Sequence, residues 1–408
     1  MKPNIITGQQ IGLLGGPLYT TYKVLGAINH AEAMKGQAIY WLETNDADFN
    51  EINQIDYINK AGELKSLKWN IDSLGFSCGY IPVDDRLVEL LSHFFSDIHQ
   101  TEHTTVLKKM VLDCYRPGIP LGDASQRLAK SLFSNFELSY FDPHDPDFRD
   151  YSKKILLQEA EREADGNQCN LFYLDSQQRK AIFKRNGLFY DRNDQPLDLN
   201  KQILLPNVKT RNLCQDGYFD THTYIAGPGE IKYIDKLDPY YKYHGIRKSR
   251  VLERMHLILI EPRIARLLKK LDLIPSKLLE VSKEQMQKRI MQQSGFDQNR
   301  IREQSDSAIH HLINELEETG LDTKGLRKIL TQEVKKRIGE KRQQFKLGLQ
   351  STQKGIDQVY DALKPYENKQ ERVFNLFYYM NLYGGLAFIE FLNRSHRWDS
   401  FILEVNSG

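Results

Sequence analysis

The sequence is short of cysteine, of long apolar runs and of any excess of one charge. Its four cysteines, Cys78, Cys114, Cys169 and Cys214, are scattered through 408 residues, and no two stand in a C-x-x-C spacing. That excludes a zinc knuckle or a dithiol redox motif, and so few thiols in so long a chain do not make a disulfide framework. They read as reduced, buried small hydrophobes in a cytoplasmic protein. The longest apolar runs, "HLILI" (256–260) and "GGLAFIEFL" (384–392), fall far short of the roughly 20 residues of a membrane-spanning helix, so no membrane partner is expected. The first residues carry one lysine and then glycine and uncharged polar groups, which is not a secretory signal. Lysine and arginine number 56 against 54 acidic residues, a formal net charge of +2. This balance argues against broad electrostatic binding of nucleic acid and leaves room only for a local basic patch.

What is present is enough apolar material, 40% of the chain, for a sizeable core, and a length that predicts two or three domains. The first 250 residues alternate as an α/β fold does. Residues 4–7 read as a short strand, 19–34 as a helix with apolar residues at Leu25, Ile28 and Ala31, and "QAIYWLE" (37–43) as a buried parallel strand. Strand, glycine loop, helix and strand make a βαβ unit. Helices are predicted over 86–99 and 125–136, and a strand over 138–143. Residues 170–174, 180–192 and 202–206 are β-rich, and 223–245 reads strand, glycine turn, helix. Beyond 273 the charge becomes dense. Ile338, Phe345 and Val359 fit one heptad position and Leu349, Ile356 and Leu363 the other. Ile309, Leu312, Ile313 and Leu316 form a second stripe, with 317–325 as the turn between two antiparallel helices. The heptads are few and Arg342 and Thr352 interrupt them, so an ordinary helical hairpin fits nearly as well as a coiled coil. Three parts follow: a core over 1–273, a helical coiled-coil arm over 274–369, and a final helix over 371–398 within a segment (370–408) that packs back on the core.

Four polar clusters fall at predicted strand ends, where doubly wound sheets bind ligands. In "IITGQQIGLLGGPLYTTYK" (5–23), Thr7 is a binding candidate at the strand end, Gly8, Gly15 and Gly16 let a backbone approach a ligand, Gln9 and Gln10 offer neutral donors and acceptors, and Tyr19 and Lys23 follow on the helix. The string matches neither the P-loop nor the dinucleotide fingerprint. In "WLETNDADFNEI" (41–52), Asn45, Asp46, Asp48 and Glu51 suit a magnesium ion, an ammonium group, or acid–base work. In "LPNVKTRNLCQD" (205–216), Arg211 suits a carboxylate and is flanked by Asn207, Gln215 and Asp216. In "AGPGEI" (226–231), Gly227 and Gly229 precede Glu230 at a helix start. Each cluster alone also fits a tight turn, a solvated helix end or a surface arginine. Together they predict one composite pocket.

At these four strings, and at "IEPRIARLLKK" (260–270) and "QERVFNLFYYMNLYGGLAFIEFL" (370–392), the chain resembles the BshC family, the cysteine-adding enzymes of bacillithiol biosynthesis. The resemblance implies a Rossmann-like parallel-sheet core related to nucleotidyl-transferases, and a coiled-coil arm that forms a homodimer. It implies a ligase that joins L-cysteine to the amine of glucosaminyl malate, with ATP or another nucleotide expected for carboxyl activation and no metal assigned. In that reading Gln9, Gln10, Gly15 and Gly16 cradle the substrate, Asp46 and Asp48 orient the amine or take its proton, and Arg211 and Glu230 complete the pocket. Two departures stand out. The family usually carries a further segment ahead of the opening motif. It also reads Glu-Asp-His-Asp where this chain has Asn45, Asp46, Ala47 and Asp48. They leave two alternatives open: a divergent homologue acting on another small amine or acid, and a non-catalytic dimeric binding protein.

Overall fold

A computed structural model describes residues 2–293 and 298–405, apart from the side chains at 290–293, 298, 342, 344–349 and 351. It divides into two compact units, Met1–Leu259 with Lys369–Gly408, and Ile260–Asn368. The strands of the first unit, in chain order, begin with β1 (Asn4–Gln10), β2 (Gln37–Glu43), β3 (Gln54–Ile58), β4 (Leu64–Lys68), β5 (Leu138–Phe141) and β6 (Gln168–Asp175). β7 (Gln178–Arg185), β8 (Leu188–Tyr190), β9 (Ile203–Pro206), β10 (Thr221–Ala226) and β11 (Arg250–Glu253) follow.

The central sheet runs β11-β10-β1-β2-β5, and every pairing in it is parallel. The chain starts at the middle strand, builds outward to β5, and returns to the far side of β1 for β10 and β11. The strand order therefore reverses between β1 and β10, which opens a crevice at their carboxyl ends. β1 and β2 are buried at almost every central position because both sheet faces are covered. Their register sets Gly8 opposite Trp41 and Gln10 opposite Glu43.

The helix Leu18–Met34 lies on one face, against β1, β2 and β10. It is buried on nearly all sides, because the short helices Gln370–Val373 and Ala387–Arg394 cover it from outside. It ends at Lys35, in the left-handed region, followed by Gly36. A Cβ on Gly36 would stand 2.4 Å from the Pro3 carbonyl oxygen, so the β1–β2 crossover has no room for a side chain there. On the opposite face Trp41, Phe148, Leu156, Leu213 and Tyr224 share one buried cluster with residues of the helices Pro146–Arg162 and Arg211–Phe219. Each large apolar side chain so enclosed contributes about 1.5–3 kcal/mol. The connection from β5 to β10 carries an antiparallel sheet of order β8-β7-β6-β9, and β3 pairs with β4 as a hairpin.

The single closing helix expected over 371–398 is instead three short helices, Gln370–Val373, Leu376–Leu382 and Ala387–Arg394. Phe374 is extended, and Asn375 caps the second helix by accepting from the Tyr378 N–H at 3.2 Å. Gly384 and Gly385, at φ 111° and 61°, separate the second from the third.

The second unit is helical. Gln298–Glu318 and Leu326–Leu363 pack on each other, and the latter also packs against Pro262–Lys270. Ile338, Ile356, Val359 and Leu363 are buried at heptad positions, while the side chains of Phe345 and Leu349 lie outside the described residues. In the facing stripe Ile309 and Ile313 are buried, but Leu312 is 44% exposed. The unit begins at Ile260, ahead of the expected boundary at 273, because the helix Pro262–Lys270 packs on the long helix.

Candidate functional site

At the carboxyl ends of β1, β2 and β10 lies a cleft of about 540 Å³, lined by residues that converge from distant parts of the first unit. Its base is an ion pair. Lys23, on the first helix and only 1% exposed, has its Nζ 2.6 Å from Glu230 Oε2, and it also donates to the Gly8 carbonyl and, at 3.2 Å, to Gln9 Oε1. Glu230 accepts further from the Gly227 N–H and the Tyr224 hydroxyl, both at 2.8 Å. Burial opposes the Glu230 charge, but Lys23, Arg211 and the Gly227 N–H outweigh it and hold the carboxyl below its ordinary range. Burial also lowers the Lys23 ammonium, against the pull of Glu230.

Arg211, the first residue of its helix, spans the cleft wall. Its guanidinium donates to Asn212 Oδ1 and to the Tyr224 hydroxyl, both at 3.1 Å, and to Gln215 Oε1 at 3.2 Å. It can reach there because Gly8 has no side chain: a Cβ would stand 3.2 Å from Arg211 Nη1 and 3.3 Å from the Tyr224 hydroxyl. Glu43, the last residue of β2, faces the same guanidinium at 3.8 Å. Trp41 lies two residues earlier, hence on the same side of the strand, and its indole N–H donates to Glu43 Oε2 at 2.9 Å. Burial lifts the Glu43 carboxyl above its ordinary range, against Arg211 and Arg179.

Asp46 forms the opposite wall. It accepts from Gln10 Nε2 at 2.5 Å, and from Arg179 and the Ala47 N–H, both at 2.8 Å. At the mouth, the Tyr19 ring lies 5.4 Å from the Arg254 guanidinium and 5.9 Å from that of Arg372. Arg254 is buried and held by both oxygens of Glu371, at 2.7 and 2.9 Å. His256 Nδ1 donates to the same carboxylate at 3.0 Å. Arg372 is exposed, with no carboxylate in salt-bridge range among the described residues.

Most of the expected site residues meet here. Gly8, Gln9, Gln10, Tyr19, Lys23, Asp46, Glu51, Asn207, Arg211, Gly227, Gly229 and Glu230 all line the cleft. Others do not. Thr7 is buried and donates to the Ile225 carbonyl at 2.9 Å, tying β1 to β10. Gly15 and Gly16, at φ 80° and 77°, close a tight turn against Leu132 and Thr20, outside the lining. Asn45 is buried outside the lining, and Asp48 is exposed and likewise outside it. Gln215 and Asp216 lie behind Arg211. Gln215 accepts from that guanidinium, and Asp216 accepts from the Tyr241 hydroxyl at 2.6 Å and the Ser249 N–H at 3.0 Å.

Sequence reasoning passed over Glu43, Arg179, Arg254, Arg372 and Tyr233, which also line the cleft. Glu43 had a signal, as the last residue of a predicted parallel strand. Arg179 and Arg254 had none, since the fold brings them in from β7 and from beyond β11. Among the described residues no cluster of three or more His, Cys, Asp or Glu side chains could hold a metal ion. No described helix is long and apolar enough to cross a membrane.

Comparison with known proteins bears on this geometry. Residues 3–167 and 158–255 match the model for the N-terminal Rossmann-like domain of bacillithiol biosynthesis BshC, and 257–399 match that for its C-terminal coiled-coil domain. Three curated relatives bear the name "Putative cysteine ligase BshC". That of Salinibacter ruber is 24% identical over 455 residues, covering 98% of this chain and 82% of its own length. That of Chlorobium phaeobacteroides is 26% identical with the same two coverages, 98% and 82%. That of Flavobacterium johnsoniae is 30% identical over 66% of this chain and 56% of its own length.

Proposed function

The chain belongs to the BshC family, whose two domain models together span it, and from that premise we propose a cysteine ligase of bacillithiol biosynthesis. The reaction joins the carboxyl of L-cysteine to the free amine of glucosaminyl malate, and the oxygen lost from the carboxyl leaves with the activating phosphate. The observation that carries this reading is the cleft itself. One concave site at the sheet's switch point presents neutral amides, carboxylates and guanidinium groups together, as a substrate bearing an amine and carboxylates requires.

An amide bond needs an activated carboxyl, so a nucleotide is the expected co-substrate. The cleft offers Arg372 at its mouth for a polyphosphate, beside the Tyr19 ring. The alternative of a different small amine or acid rests on Ala47, which stands where the family has histidine. Ala47 is not among the residues that line the cleft, so its identity leaves the cleft carboxylates in place. Exposed Leu312, Leu321 and Ile329, near the turn of the helical hairpin, support a homodimer formed through that unit. The four buried free thiols suit a cytoplasmic setting.

The test is direct. The protein is incubated with ATP, L-cysteine and glucosaminyl malate, and the amide-linked thiol is sought by mass spectrometry. Product from these three and not from any two supports the reading. Product only with another amine or acid supports the divergent homologue, and no product with any acceptor supports a binding protein.

A further inference from the structure

Four carboxylates line the cleft, and their hydrogen bonds tell them apart. Glu230 is spent on Lys23, the Gly227 N–H and the Tyr224 hydroxyl. Asp46 is spent on Gln10, Arg179 and the Ala47 N–H. A carboxylate whose oxygens already accept several strong bonds is a poor proton acceptor, because taking the proton would cost it those bonds. Glu51 is exposed on the rim, where water competes for any substrate proton. Glu43 differs from all three. Among the described residues its carboxylate accepts one hydrogen bond, from the Trp41 indole N–H on Oε2, the oxygen nearest Arg211, and nothing donates to Oε1.

We propose that Glu43 is the proton acceptor of the ligation, with Trp41 and Arg211 fixing Oε2 so that Oε1 meets the substrate amine. This rests on the ligase reading above. The amine nitrogen forms the N–C bond to the carboxyl carbon of a cysteine activated as a phosphoric anhydride. The C–O bond to the phosphate breaks, its electron pair leaving with the phosphate oxygen. The N–H proton passes to Glu43 Oε1 and from there to solvent. The charged and titratable groups facing Glu43 are Arg211 from its helix, Arg179 from β7, Asp46 beyond the end of β2 and the Tyr233 hydroxyl, and burial keeps its carboxyl basic enough for the task. Trp41 and Arg211 act as positioning residues.

The experiment compares wild type with Glu43→Gln and Glu43→Asp, following amide formation across the acid and neutral range. Glu43→Gln is expected to lower kcat by about 10²–10⁴-fold with KM for the amine changed less than about threefold. It should also remove the acid limb of the kcat profile, while Glu43→Asp keeps that limb at a reduced rate. Product from wild type together with a Glu43→Gln kcat and pH profile like wild type overturns this proposal and spares the ligase reading. Absence of product from wild type overturns both. If circular dichroism finds Glu43→Gln unfolded, Glu43→Asp decides: a lower kcat with the limb retained supports the assignment, and an unchanged kcat overturns it.

Discussion

Lys23 and Glu230 show how single residues fix the site. A lysine with no exposed surface would lose its charge unless matched, and the match comes from a residue two hundred positions later in the chain. Lys23→Met leaves Glu230 with one partner gone, and is expected to cost about 3 kcal/mol in urea unfolding. Adding Glu230→Gln should cost less than the two single effects combined, since the pair is lost only once. A second buried pair supplies a pH dependence. Glu371, facing Arg254 and His256, is pushed down to about 2 despite burial. A depressed carboxyl stabilises the fold fully above its unfolded value, about 4.3, and the gain is lost as pH falls toward the folded one. Glu371→Gln should therefore lower stability at neutral pH and flatten the acid limb of a stability–pH curve. His256 is raised by the Glu371 bond, so its contribution has the opposite sign, present in acid and lost as pH rises through its folded value. At this scale the sequence told half the story. The polar strings around Gln9, Asp46, Arg211 and Glu230 were visible. Asp48 looked equal to Asp46, yet it lies exposed outside the lining, while Glu43 faces the cleft. Asp46 and Asp48 both lie beyond the end of β2, so strand alternation does not separate them, whereas Glu43, within the predicted strand, shares the side of Trp41.

Elements were legible where periodicity was strong and short-range. β2 covers the predicted 37–43 and the first helix begins one residue before the prediction, because an unbroken apolar run and a helical stripe leave little choice. The closing segment was not legible as three helices. Its aromatic richness reads as one helix, and only Asn375 and the Gly384-Gly385 pair mark the breaks. The helix Pro146–Arg162 was also passed over, although Asp145 caps it by accepting from the Phe148 N–H at 3.0 Å and Pro146 opens it. Crossover geometry gives an element-scale prediction. Gly36→Ala sets a methyl 2.4 Å from the Pro3 carbonyl oxygen, which is backbone and cannot swing away. A loss of about 1–3 kcal/mol in thermal or urea unfolding is expected. Asn375→Ala, which removes the cap and the Nδ2 bond to the Asp56 carbonyl, should cost about 1–2 kcal/mol.

For the whole molecule, the sequence carried the division into an α/β part and a helical part more clearly than its position. Charge density rises after 273, but the second unit starts at Ile260. Composition reports solvent exposure, and the helix Pro262–Lys270 is half buried in its own unit. The hairpin of that unit leaves Leu312 and Ile329 exposed at 44% and 63%. With both changed to lysine, light scattering should read half the mass of the wild-type assembly if this face joins two copies, and an unchanged mass would place the contact elsewhere. The central claim concerns the cleft, where β1, β2 and β10 end together and an amine substrate is held for acylation. It is tested most directly by a crystal structure of the chain with glucosaminyl malate bound. Density for the amino sugar between Glu43 and Glu230, its nitrogen within hydrogen-bond reach of Glu43 Oε1, is the expected result. Density elsewhere on the molecule, with the cleft side chains undisturbed, would contradict it.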